Sequence, residues 1–418
     1  MSEREIFTSP IEEISYEMVS EFCQEGFEED IDLDYKSDWP KDFERLLCSF
    51  ANTQGGIALI GVEEVNKSRK PICPPVGVDG KEDVLRQRAL NIGLDAIYPP
   101  VIPEVQICEH PTNSNRSVVV VRVNPSRLMH AVDRRRRVYI RVKDSNRGYE
   151  LASITELEWL WRQREKVEEL RNNLMLTAVE RSNSPAINWE NEEYMQTWVG
   201  NPRLIIASLP NFPKFSGIIN THKLMKQVND MGTMNCSWKG IYVTLPQELN
   251  QWRSISGGIS LSHRGRFEYQ NYIELGQHGL CYVSISLPLS KRNNQDSDKF
   301  IMAFAILAYL EMALKFIAIF YEKNNYIWPI TLEATLENVS NICINYKVRN
   351  SGLFEEDIIS LACPDNSLKL VLRELSGSQL RSKIEDIVSV AVDSIFWAFG
   401  LSWESENVDK WFNILKDR

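Results

Sequence analysis

Apolar residues along the chain follow two kinds of spacing. Between Lys41 and Ala51, Phe43, Leu46, Leu47 and Phe50 recur every three or four residues, which predicts an amphipathic helix. Asn52-Thr53-Gln54-Gly55-Gly56 ends that pattern as a turn, and Ile57 to Val62 follows as an unbroken apolar run, the mark of a buried strand. Residues 66–80 read as a loop, and Asp83 to Ile97 as a helix stopped by Pro99-Pro100. Val105 to Cys108, the valine-rich Ser117 to Val123, and Arg137 to Val142 predict strands. Ser153 and Glu156 form the S-x-x-E of a capping box, opening a long helix from Ile154 to about Val179 with apolar positions at 157, 160, 161, 167, 170 and 174. A short lead-in helix is expected within residues 1–20.

Ser182-Asn183-Ser184-Pro185 has linker composition. This places a first domain at 1–181 and a second at 189–418. The second shows strand-like runs at 203–208, 240–245, 267–275 and 280–287. A helix at 298–322, strands near 330–336 and 341–348, an amphipathic helix from Ser376 to Phe399, and a short helix bearing Trp411, Phe412 and Leu415 complete it. Phe300 to Tyr321 is apolar except for Glu311 and Lys315. Two mid-span charges at i and i+4 are expensive in lipid and ordinary on a buried soluble helix, so no membrane span is expected.

Composition narrows the functional classes. The chain has 418 residues, 43% of them hydrophobic and 25% charged, which fits a folded protein of two or three domains. Its formal net charge is −10, so a protein that merely coats nucleic acid is excluded and any such contact needs a local basic patch. The eight cysteines are scattered without a C-x-x-C pair, as in a reduced cytoplasmic protein. Cys108 and His110 are open to two readings, a metal site or plain alternation on a strand. The polar start, Met1-Ser2-Glu3-Arg4-Glu5, is unlike a signal peptide.

Three features in the first domain carry chemistry. Glu25, Glu28, Glu29, Asp30, Asp32 and Asp34 put six carboxylates in ten residues. On a regular strand Glu29 and Asp34 would point oppositely, so joint action requires a bend between them. Second, the buried strand after Gly55-Gly56 exits at Glu63-Glu64; strand exits hold side chains in fixed directions, as metal ligands need. The Gly-Gly lacks the G-x-x-x-x-G-K-[ST] pattern and precedes a strand, which excludes a phosphate-binding ATPase loop. Third, eight Lys or Arg lie between Arg127 and Arg147, opposed only by Asp133 and Asp144. Guanidinium forks match phosphate oxygens, so Arg134, Arg135, Arg136, Arg137, Arg141 and Lys143, with His130, are candidate nucleic-acid contacts. Tyr139 and Tyr149 are candidate base-stacking residues. A basic surface hairpin that merely offsets the acidic body is the competing reading.

In this order the segments resemble the Schlafen Alba-like family, earlier catalogued as divergent AAA-like. The motifs are Glu29…Asp34-Tyr35-Lys36, Ser49-Phe50-Ala51-Asn52-Thr53-Gln54-Gly55-Gly56, Gly61-Val62-Glu63-Glu64, Val118 to Val123, Pro125-Ser126…His130 and Tyr139-Ile140-Arg141. The resemblance covers about a third of the chain. It implies an N-terminal mixed α/β Alba-like domain; beyond the linker the strand–long helix–strand order predicts an α+β domain with long buried helices, so the chain as a whole is expected to be α+β. The resemblance also implies that Glu29, Asp34 and Glu64 hold Mg²⁺ or Mn²⁺ and cut RNA, tRNA above all, with Lys36 stabilising the transition state. Asp34 stands where Glu is common and Glu64 where Asp is common, and the zinc motif of vertebrate members is absent. A stress or phage-defence setting follows by analogy alone. The expected partner is therefore RNA of tRNA type, or DNA, with a non-catalytic DNA- or RNA-binding regulator as the alternative to a nuclease. Residues 189–418 carry no catalytic signature; dimerisation, sensing or partner binding are open to them.

Overall fold

The computed structural model describes residues 5–65, 68–132, 136–142, 149–183, 201–213, 219, 221–231, 234–238, 241–245, 252–264, 270–291, 299–324, 326, 328–349 and 355–400. The chain forms two compact units, Met1–Glu169 and Leu170–Arg418. Both mix helices and strands, as expected of the α+β class.

The first unit is built around one strand. In chain order its elements are α1 (Glu5–Thr8), α2 (Tyr16–Glu25), β1 (Leu33–Lys36), α3 (Phe43–Asn52), β2 (Gly56–Ile60), β3 (Val78–Asp79), α4 (Glu82–Asp95), β4 (Ile97–Tyr98), β5 (Glu104–His110), β6 (Asn113–Val123), β7 (Ala131–Val132), β8 (Tyr139–Arg141) and β9 (Tyr149–Leu151). The long helix α5 (Ile154–Asn183) follows. Strand β2 pairs parallel with β1 and antiparallel with β6, and β6 also pairs with β3 and β5. All of β2 is buried because both faces of this sheet are covered. Ala58 and Ile60 point to one side, into a core with Phe43, Leu46, Leu47 and Phe50 of α3 and with Leu85 and Ala89 of α4. Ile57 and Leu59 point to the other, against Ile6, Val19 and Phe22. Two-residue alternation thus divides one apolar run between two cores.

Close approach explains the paired glycines. Gly55 has φ of 75°. A Cβ at Gly56 would lie 2.3 Å from the Phe50 ring and 2.7 Å from the Asp32 carbonyl oxygen. Strand β6 is longer than its valine run suggested. Asn113–Arg116 continues it at a polar edge, closing a hairpin with β5. The capping box forms as expected: the Ser153 N–H and hydroxyl both donate to Glu156 Oε2 at 2.7 Å.

The second unit is built on a seven-stranded antiparallel sheet of β10 (Arg203–Pro210), β11 (Trp252–Ile255), β12 (Gly258–Arg264), β13 (Gln270–Gly276), β14 (Cys281–Ser286), β15 (Pro329–Glu337) and β16 (Ser367–Ser376). Their order across the sheet is β11-β12-β13-β14-β10-β15-β16. Three helices, α6 (Thr221–Met231), α7 (Ala303–Lys323) and α8 (Ile384–Ala398), share its main core. Glu311 and Lys315 pair at 2.7 Å on α7. Among the described residues no helix is long and apolar enough to cross a membrane. Helix α8 begins at Ile384, later than the expected Ser376, because Ser376 ends a strand paired with Pro329–Glu337 and two 3-10 turns, Gly377–Gln379 and Arg381–Lys383, precede the helix. The expected terminal helix at 411–415 lies outside the described residues.

The division between units falls inside α5, earlier than the 182–185 segment that composition suggested. The reason is local. Arg171 donates to the Leu209 and Pro210 carbonyls and, at 2.9 Å, to the Thr331 hydroxyl. Ala178 packs with Tyr272 and Tyr282, and Arg181 pairs with Glu274 at 2.8 Å. The latter half of the helix is therefore part of the second unit.

One side chain ties the glycine turn to the basic segment. Asn52 is buried; its amide donates to the carbonyls of His130 (2.8 Å) and Tyr139 (3.0 Å), and its oxygen accepts the His130 N–H (2.8 Å). Removing it strands three buried backbone groups. Asn52→Ala should lower unfolding free energy by about 2–4 kcal/mol in urea titration; a loss below about 1 kcal/mol would show that the clasp contributes little.

Candidate functional site

The acidic run bends where joint action of Glu29 and Asp34 requires it. Glycine 26, with φ of 70°, caps α2, and an isolated bridge joins Asp30 to Leu33 across a two-residue turn. Strand β1 starts only at Leu33. The turn brings Glu29 back over the strand, where its Oε1 accepts the Tyr35 N–H at 2.6 Å. Its own N–H donates to the Arg69 carbonyl at 2.9 Å.

Arg141 holds this bend from inside. Its guanidinium donates through Nη1 to Asp34 Oδ2 (2.7 Å), through Nη2 to the Asp30 (2.8 Å) and Leu33 (3.3 Å) carbonyls, and through Nε to Ile31 (3.1 Å). It lies 4.6 Å from the centre of the Phe50 ring. Both side chains of the ion pair are buried, at 2% exposure for Arg141 and 1% for Asp34. The sequence placed Arg141 among the phosphate contacts; the structure turns it inward and commits it to the acidic turn, out of reach of a surface backbone.

Lys36 closes the other side. Its ammonium contacts Asp34 Oδ1, lies 3.6 Å from Glu29 Oε1 and donates to the Tyr35 carbonyl at 2.8 Å. Burial pushes the Glu29 carboxyl up and the Asp34 charge pushes it further, against Lys36 and the Tyr35 N–H. Glu64 adds to the rise, and the net is about 7. Burial pulls Lys36 down, but Asp34, Glu29 and Glu64 together raise it above its ordinary value. The four expected residues Glu29, Asp34, Glu64 and Lys36 therefore share one electrostatic neighbourhood.

The donor set suits a hard divalent cation in kind, since carboxylate oxygens are what Mg²⁺ and Mn²⁺ prefer. The arrangement does not. Among the described residues no three His, Cys, Asp or Glu side chains are grouped to hold a metal ion. The Lys36 ammonium sits between Glu29 and Asp34, and both Asp34 oxygens already face cations. Cys108 and His110 form no such group either: the Cys108 thiol donates to the Ile14 carbonyl, and His110 packs edge-on against Tyr16.

The basic segment divides into inward and outward residues. His130 is buried, its Nδ1 2.7 Å from the Pro99 carbonyl oxygen. Tyr139 and Tyr149 are buried against each other, with ring centres 5.8 Å apart, and cannot stack on bases. Arg127 is half-exposed and pairs with Glu168 at 2.6 Å. Arg137 is half-buried and bonds through its backbone to Val132. Arg136 is exposed and lies 5.9 Å from the ring centre of Tyr98, itself 67% exposed. Arg134, Arg135 and Lys143 lie outside the described residues. Sequence reasoning passed over Tyr98, whose only signal was its place before the Pro-Pro that ends α4.

The first unit thus holds a mixed sheet with a packed core on each face and an acidic turn entering its first strand. Residues 29–150 match the family model described as Schlafen, AlbA_2, and form a domain of that family. A solved structure, the N-terminal domain of a RecG-related protein from Nitrosomonas europaea, is 21% identical over 27% of this chain and 74% of its own, with a TM-score of 0.22. No curated protein matches the chain.

Two stability measurements follow. Arg141→Met leaves Asp34 buried with half its partners and frees three carbonyls, so it should cost about 3–5 kcal/mol in denaturant unfolding; a near-neutral variant would show that the turn stands without it. Glu29 binds a proton more tightly folded than unfolded, so its contribution to stability falls as pH rises from about 4.5 towards 7. Glu29→Gln should therefore melt about 2–6 °C above the parent at pH 8, with the gap closing near pH 5. A gap independent of pH would contradict the raised carboxyl.

Proposed function

We propose that the Schlafen-type domain binds nucleic acid through its arginine-rich segment. The observation that carries this reading is the run Arg134 to Arg137 in a chain of net charge −10, with Arg136 held outward on a strand-bounded loop. Four consecutive arginines concentrate positive charge in one segment, and phosphate oxygens match the guanidinium fork. The family match supports the same class of partner.

A second reading, a metal-dependent RNase acting on tRNA-like RNA, is favoured by one observation. Asp34 and Glu64 come from two separate segments and both raise the Glu29 carboxyl. In that reading Glu29, Asp34 and Glu64 would hold Mg²⁺ or Mn²⁺, and the Lys36 ammonium, which contacts Asp34 and lies 3.6 Å from Glu29, would first have to leave the carboxylates. Without cleavage, the domain is a DNA- or RNA-binding regulator.

Both readings are tested with the full chain, labelled tRNA and duplex DNA. Binding is expected to weaken at least ten-fold between 50 and 200 mM salt, on the order expected for several phosphate contacts, and to be lost in Arg135→Glu/Arg137→Glu. Affinity unchanged in that variant would refute the clamp. With Mn²⁺ or Mg²⁺, cleavage of tRNA by the parent that is lost in Glu29→Gln and Lys36→Ala supports the nuclease. Binding without cleavage in either metal refutes the nuclease and leaves the regulator.

A further inference from the structure

Tyr98 presents a largely exposed ring from a firmly held backbone. Strand β4 carries it. Ile97 pairs with Val132 and Tyr98 with Ala131. The next residue is fixed as well, since the Pro99 carbonyl oxygen meets the buried His130 ring at 2.7 Å. His130 is in turn gripped at both backbone groups by Asn52. The backbone beneath the ring is thus anchored to α3 through two buried side chains, while 67% of the tyrosine remains open to solvent.

The Arg136 guanidinium lies over one face of the ring. Its carbon lies 5.9 Å from the ring centre, and the Arg136 backbone has φ of 50°, the left-handed region that a non-glycine residue enters only at a cost. Arg136 belongs to the run Arg134 to Arg137. A fixed, largely exposed aromatic ring with the Arg136 guanidinium over one face, within a run of four arginines in the sequence, combines the two chemistries that hold single-stranded nucleic acid, stacking on bases and attraction to phosphates. Bases inside a duplex have both faces covered by their neighbours, so the ring suits an unpaired one.

We propose that Tyr98, flanked by Arg136, is a stacking platform for an unpaired nucleotide base. The proposal rests on the nucleic-acid-binding reading above and adds to it where the strand lies and that it is single-stranded there. Stacking makes little distinction among bases, so the platform contributes affinity and strandedness more than sequence preference. The role the sequence assigned to Tyr139 and Tyr149 passes to a residue on the neighbouring β4–β7 ribbon. His130, expected at the nucleic acid, acts from beneath by positioning Pro99.

The test uses the full chain with single-stranded RNA and DNA oligonucleotides carrying 2-aminopurine, and the same sequences as duplexes. Parent protein and Tyr98→Phe should bind the single strands and quench 2-aminopurine fluorescence alike. Tyr98→Ala, at an exposed position, should keep its melting temperature, lose the quenching and bind single strands roughly ten-fold more weakly, in line with one lost stacking contact. Its salt dependence and duplex affinity should stay unchanged. Equal quenching and affinity in Tyr98→Ala overturns the platform while leaving nucleic-acid binding intact, and an equal loss on duplexes overturns it too. A parent protein that binds none of the probes overturns the broader reading and this one together. RNA and DNA arms that differ identify which single strand the platform takes.

Discussion

The ion pair between Arg141 and Asp34 is the contact on which the acidic turn depends. Six carboxylates crowd residues 25–34, and one of them, Asp34, is fully buried at the start of β1. A buried carboxylate is tolerable only with a close countercharge and saturated hydrogen bonds. Arg141 supplies a countercharge and a hydrogen bond at Oδ2 from β8, 107 residues along the chain, while Lys36 faces Oδ1. The other Arg141 donors satisfy the carbonyls of Asp30, Ile31 and Leu33, so one guanidinium fixes the backbone of the bend and the charge at its end. Such a pair contributes little net stability compared with an apolar substitute. What it confers is placement: β8 cannot shift register without taking Arg141 from Asp34.

The second dependence runs through Asn52. The segment Ala51-Asn52-Thr53-Gln54-Gly55-Gly56 contains two kinds of requirement. Gly56 is needed because Phe50 and the Asp32 carbonyl leave no room for a Cβ. Asn52 is needed because its amide presents two donors and one acceptor to the backbone of His130 and Tyr139. The same helix end therefore sets the start of β2, beside the acidic turn, and the path of the segment that leads into the arginines. The acidic and basic features stand on one support.

Much of this was legible in the sequence. The periodicity of Phe43, Leu46, Leu47 and Phe50 marks a helix observed at Phe43–Asn52, and the apolar run after Gly56 marks the central strand. The requirement for a bend between Glu29 and Asp34 follows from strand geometry and is met. Direction was harder to read. A density of positive charge does not say which side chains face water, and Arg141 was grouped with its exposed neighbours. Alternation held the answer: on a strand Arg141 shares a face with Tyr139, and Tyr139 belongs to the core. Trp161, assigned to the packed face of α5, is 60% exposed for the converse reason. Periodicity along a 30-residue helix that serves two units does not keep to one stripe. The unit boundary was missed for the same cause, since linker-like composition after Ser182 says nothing of where the helix before it packs.

The inward turn of part of the basic segment changes what the rest can do. Arg141 neutralises a carboxylate within the fold, Arg127 answers Glu168, and His130 carries its loop without facing solvent. At most six of the eight cations between Arg127 and Arg147 then remain for an external anion. A contact built on fewer phosphates is weaker and less dependent on salt than the raw count implies. On a body of net charge −10, that smaller attraction must also overcome long-range repulsion of a polyanion. Short-range contacts therefore carry more of the affinity than in a basic protein. A fixed aromatic face serves this end, because stacking depends little on ionic strength and is not diminished by the acidic surface around it.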